Sequence, residues 1–151
     1  TISVSASGTF FQYQHSGEWI ACALGNVPVG IDIQYHREIK LEQTARKICT
    51  PDEWKTFMQV GTEKGKKDFL FQIWTKKESY LKFTGDGIRR ELCEISYEGC
   101  RFYRLVMPEG IRGWYVWRTE YPRKKVCKIT KYFILATGSI YSLSTYSKCK
   151  R

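Results

Sequence analysis

Two changes of hydrophobic period within one short chain constrain its fold more than any other feature. Residues 9–34 alternate at strand spacing, residues 41–83 repeat at helix spacing, and residues 92–119 return to short strand-like runs. Trp19, Ala21 and Ala23 alternate with Ile20, Cys22 and Leu24 until Gly25-Asn26-Val27-Pro28 breaks the run. Residues 29–34 follow as a second strand, expected to pair with the first as a hairpin. Helical signals start near Leu41, and Thr50-Pro51-Asp52-Glu53 is a capping box with proline at the first helical position. After a break at 61–65, the spacing predicts a longer helix over 66–83. Leu70, Ile73, Trp74, Lys77 and Leu81 share one of its stripes, and Gly85-Asp86-Gly87 stops it. Residues 92–97 and 101–107 read as a hairpin around Glu98-Gly99, and 113–119 as a further strand. Strands joined by short turns, with two or three helices among them, predict an α+β fold: an antiparallel sheet with packed helices.

The 151 residues suffice for one domain with a hydrophobic core, and a 42% hydrophobic content excludes global disorder. No apolar run is long enough for a membrane helix. The opening TISVSASG has neither the basic segment nor the apolar core of a secretory leader, so a cytoplasmic protein is expected. It also lacks an initiator Met and reads as the start of a fragment.

Charge divides the chain. Residues 1–111 carry 15 basic and 14 acidic side chains, whereas residues 112–151 carry 10 basic and 1 acidic. The basic excess belongs to the C-terminal stretch, and the hydrophobic pattern weakens from Tyr121 onward, so the expected organisation is a body over 1–121 and a basic tail over 122–151. Its setting includes Trp114, Trp117, Tyr121, Tyr132, Tyr141 and Tyr146. Such a tail attracts polyanions, but charge runs of this kind are more often solvated extensions.

The six cysteines, at 22, 49, 93, 100, 127 and 149, form no CxxC pair and no zinc-ligand spacing with His15 or His36. Reduced thiols are expected, with Cys22, Cys49 and Cys93 as small core residues.

Two carboxylates stand out. Asp32 sits in an apolar strand, where an isolated charge is costly to desolvate. Glu78 lies in Trp74-Thr75-Lys76-Lys77-Glu78-Ser79-Tyr80-Leu81-Lys82, where Trp74, Glu78 and Lys82 share a helix face. Brought together, Asp32 and Glu78 make an oxygen site of the kind Mg²⁺ prefers, its other ligands being waters and substrate phosphates. Lys82 is placed to meet the same phosphate. Such a site suits phosphoryl or pyrophosphate chemistry rather than proteolysis or redox work. His15-Ser16-Gly17 adds a phosphate donor in a tight turn.

Gly30-Ile31-Asp32, the Trp74–Lys82 segment and, upstream, Gln14-His15-Ser16-Gly17-Glu18-Trp19 together resemble the signature of Sfp-type 4′-phosphopantetheinyl transferases. Gln14 stands where that family usually has the first serine of its Ser-His-Ser-Gly segment, and the resemblance runs from about Phe10 to Tyr121. It implies an enzyme that moves the phosphopantetheine arm of coenzyme A onto a serine of an apo acyl or peptidyl carrier protein, releasing 3′,5′-ADP. It assigns Mg²⁺ to Asp32 and Glu78, with Gln34 as the third ligand in place of a common glutamate. Glu78 would also be the base for the attacking serine. Lys82 and His15 would contact the coenzyme A phosphates, with Lys77 as a further contact. The family fold has two similar halves around the coenzyme A cleft. This chain resembles the C-terminal half plus the His-Ser-Gly strand, and self-association could replace the other half. Two further readings stand beside this one. One is a truncated homologue retaining only coenzyme A or carrier binding, and the other, ranked last, is a nucleic-acid-binding module using the tail.

Overall fold

The computed structural model describes residues 4–6, 9–17, 19–25, 28–87, 90–97, 99–105, 107, 109–118, 132–136 and 139–143. Four strands come first: β1 (Val4–Ala6), β2 (Thr9–Ser16), β3 (Trp19–Gly25) and β4 (Gly30–Tyr35). Three helices follow, α1 (Leu41–Ile48), α2 (Pro51–Gln59) and α3 (Glu63–Thr84). Then come β5 (Cys100–Arg104), β6 (Ile111–Arg118), β7 (Tyr132–Ala136) and β8 (Ser139–Leu143). The strands form two antiparallel sheets, β1-β2-β3-β7-β8 and β4-β6-β5, so the α+β expectation holds.

Local chemistry sets the helix ends. Both arms of the capping box form: Thr50 Oγ1 accepts from the Glu53 amide at 3.3 Å, and Glu53 Oε2 accepts from the Thr50 amide at 2.8 Å. Thr62 caps α3 by accepting from the Gly65 amide at 3.1 Å, which starts that helix three residues before the predicted Lys66. Gly85, at φ +78°, ends it.

Strand pairing departs from expectation twice. β3 and β4 do not form a hairpin. β3 pairs with β2 across Gly17 and with β7 on its other edge, so both its edges are taken. β4 joins β6 instead. Its outer edge is met by side chains of β2: the Ile31 amide donates to Gln12 Oε1 at 2.8 Å and the Tyr35 amide to Ser16 Oγ at 2.9 Å. The second departure is at residues 92–97, which form a 3-10 turn over Leu92–Glu94 rather than a strand. Leu92 packs against the helices and Ile95 is buried, which holds this segment against the helical layer. The hairpin is β5–β6, turning through Gly110.

The β4-β6-β5 sheet divides two cores. Ile31 and Ile33 pack with Ala21, Ala23, Leu105 and Ile111, away from α3. Ala45, Ile48, Cys49, Phe57, Leu70 and Ile73 close the space between the helices. Helix α3 lies between these layers, so its buried residues extend beyond the predicted stripe to Phe71, Thr75 and Ser79. Cys49 is buried as expected, while Cys22 and Cys93 are half-buried. Part of the basic C-terminal stretch enters the first sheet as β7 and β8. Tyr121, Tyr146, Cys127 and Cys149 lie outside the described residues.

Candidate functional site

Gly30 lets β4 lie directly on α3. A Cβ at this position would stand 2.0 Å from the Ser79 carbonyl oxygen and 2.7 Å from Phe83 Cβ. Two residues on, Asp32 therefore meets the last turns of α3. Its side chain is fully buried, Lys82 Nζ lies 2.5 Å from Oδ1, and Gln34 Nε2 donates to Oδ2 at 3.2 Å. Burial pushes the Asp32 carboxyl up, against the pull of the Lys82 ammonium, and nearby Glu78 pushes it further, to about 7. Gln34 meets Asp32 through its nitrogen, so it would present Oε1 to a cation only after its amide turned.

Glu78 and Lys82 also line a cavity of about 850 Å³. Gln12, Trp74 and Leu81, Thr44, Lys47 and Ile48 of α1, and Gly85, Gly87 and Arg90 beyond α3 line it with them. Among the described residues the Glu78 carboxylate makes no hydrogen bond or ion pair, which leaves it available as a proton acceptor. Lys40, Lys47, Lys82 and Arg90 give the cavity more positive than negative charge, suiting a phosphorylated ligand. The donor set suits a hard divalent cation. Asp32, Glu78 and Gln34 carry the oxygen atoms such an ion takes, but both Asp32 oxygens are engaged by Lys82 and Gln34, neither Asp32 nor Gln34 lines the cavity, and among the described residues no group of three or more His, Cys, Asp or Glu is placed to hold a metal ion.

Two predicted contacts are not brought here. Lys77 is fully buried and donates to the Ile48 carbonyl at 2.7 Å and to Glu53 Oε2 at 2.6 Å, so its ammonium is turned into the α1–α2 junction and away from the cavity. Its place on the Leu70–Leu81 stripe carried that signal. His15 is exposed, and side-chain alternation along β2 puts it on the face opposite Gln12, outside the cavity lining. Gln12 was missed because nothing local marks it: its partners lie 19 and 70 residues away.

The Lys77–Glu53 pair makes its own prediction. Glu53→Gln leaves a buried ammonium without its counter-charge and should cost about 3–5 kcal/mol, measured by urea unfolding. Lys77→Met, which removes the charge itself, should cost clearly less. An equal loss in both variants would contradict this reading.

Comparison with known proteins agrees with the geometry. The profile of the 4′-phosphopantetheinyl transferase superfamily matches residues 28–116, a stretch that contains Asp32, Glu78 and Lys82. The 4′-phosphopantetheinyl transferase gsp of Aneurinibacillus migulanus is 37% identical over 78 residues, covering 52% of this chain and 32% of that protein. The 4′-phosphopantetheinyl transferase Sfp of Bacillus subtilis is 31% identical over 86 residues, covering 57% and 38%. A holo-[acyl-carrier-protein] synthase of Mycoplasma capricolum is 36% identical over 70 residues, covering 46% and 63%. The chain thus spans about a third of the length of the two transferases. With more than half of its residues matched, the chain belongs to the 4′-phosphopantetheinyl transferase superfamily.

Proposed function

We propose that this chain transfers the 4′-phosphopantetheine arm of coenzyme A to a serine of an apo acyl or peptidyl carrier protein, releasing 3′,5′-ADP. The observation that carries the proposal is Glu78, which lines a positively charged cavity beside the buried Asp32–Lys82 pair and has no hydrogen bond or ion pair among the described residues. Asp32 and Glu78 would hold Mg²⁺, with Gln34 adjoining, and the ion would neutralise charge on the pyrophosphate. Glu78 accepts the serine proton as the serine oxygen bonds to the phosphorus bearing pantetheine. The phosphorus–oxygen bond to 3′,5′-ADP breaks in the same displacement. Lys82, anchored on Asp32, supplies positive charge to the phosphates, and the cavity holds the arm in place. His15, exposed on β2, would join only if another chain segment or a second copy brought the coenzyme A phosphates to that strand.

Intact-mass analysis of an apo carrier incubated with this chain, coenzyme A and Mg²⁺ tests the proposal. Wild type should add one phosphopantetheine, and Glu78→Gln should slow the transfer by about 10²–10⁴-fold, the usual worth of a general base. Full-rate transfer by Glu78→Gln would remove the base assignment. A folded wild type that modifies none of several carriers would favour a homologue that only binds coenzyme A or carrier.

A further inference from the structure

Gln12 is 2% exposed on β2, and both ends of its amide are committed. Oε1 accepts from the Ile31 amide at 2.8 Å, and Nε2 donates to the Lys82 carbonyl at 3.4 Å. These two backbone groups belong to the segments that carry the central ion pair. Ile31 immediately precedes Asp32 on β4, and Lys82 itself pairs with Asp32. Neither group has an alternative inside its own element. Ile31 faces the edge of β4 that β6 does not cover, and Lys82 sits in the last turn of α3, where carbonyls lack helical donors. One side chain therefore satisfies a strand edge and a helix end together, at a residue that also lines the cavity.

We propose that Gln12 is a positioning residue whose amide, bridging the Ile31 amide and the Lys82 carbonyl, sets the placement of Lys82 against Asp32. The importance of this for transfer rests on the function proposed above; the positioning itself does not. An amide is required by the chemistry, since it is both acceptor and donor at one end of the chain. A glutamate keeps the acceptor and turns the donor into a charge facing a carbonyl. A methionine fills similar space and offers neither.

The test is acetylation of the folded full chain by an N-hydroxysuccinimide ester, followed residue by residue by peptide mass spectrometry. Lys82 and the fully buried Lys77 are compared in the same molecule. In Gln12→Met, Lys82 should be acetylated at least about fivefold faster while Lys77 stays as slow as in wild type, because only the local clamp has opened. An unchanged Lys82, or Lys82 and Lys77 rising together, overturns the proposal, since a core-filling role loosens both. Should Gln12→Met fail to fold, Gln12→Glu carries the same readout: Lys82 alone should speed up, and no change there overturns the assignment. Transfer assays on the same proteins keep the two claims apart. Gln12→Met should lower kcat and leave the KM for carrier unchanged. A wild type that never transfers, yet shows the labelling contrast, overturns the transferase and leaves the positioning role standing.

Discussion

Gly30→Ala should destabilise the protein by about 3 kcal/mol or more, at or beyond the top of the usual range for overpacking. The added methyl would stand 2.0 Å from the Ser79 carbonyl oxygen and 2.8 Å from the Phe83 amide nitrogen, so it meets helix backbone, not a side chain that can swing aside. Relief requires β4 and α3 to separate, and that separation draws Asp32 away from Lys82. Thermal and urea unfolding followed by circular dichroism measure the loss. A substitution within about 0.5 kcal/mol of wild type, the scatter of neutral surface changes, would mean that β4 is not seated on α3 as described. The glycine of Gly30-Ile31-Asp32 is thus a packing requirement that delivers the aspartate to the helix.

Lys82→Met should have a comparable effect, but one that depends on pH. At pH 8 it leaves the fully buried Asp32 carboxylate without its counter-charge, a loss of about 3–5 kcal/mol. The sign follows from linkage. Asp32 is held at about 7 in the folded protein against an ordinary 3.8, so the folded state binds its proton more tightly. Its contribution to stability is fully present below about pH 4 and is lost as the pH rises through 7. Removing the ammonium raises Asp32 further, so the variant is penalised most where wild type is already ionised. Near pH 5 Asp32 is largely protonated in both proteins, and the difference between them should shrink severalfold. Urea midpoints at pH 5 and pH 8 decide the matter. An equal loss at both pH values would show that Lys82 acts through packing rather than through its charge.

Elements whose ends are closed by neighbours in the chain were legible in the sequence. The Thr50–Glu53 capping box and the Gly85 stop formed as read, because their hydrogen bonds span only a few residues. Asp32 in its apolar strand and the Trp74, Glu78 and Lys82 helix face are each visible locally, whereas the meeting of Asp32 with Lys82 is a tertiary contact 50 residues apart. Lys77 was misplaced because the nearby motif outweighed a plain signal: a lysine on an apolar stripe needs a buried partner. Helix α3 starts before the expected Lys66 because Thr62 supplies a cap within the 61–65 break.

Strand partners were illegible for a different reason. Alternation tells a strand which face to bury but leaves open which edge it will meet, and β3 and β4 alternate equally well in one sheet or two. The choice was made by Gly30 against α3, by β7 on the free edge of β3, and by Gln12 and Ser16 at the edge of β4. The sequence alone determined the start of α2, the stop of α3, the α+β class and the identity of the charged groups. The tertiary structure alone decided that Lys77 turns inward to Glu53, that His15 faces away from the cavity, and that Gln12 ties the two halves of the ion pair together. Those outcomes depend on contacts between residues tens of positions apart. Which of them meet is settled by packing of the whole chain rather than by local propensity.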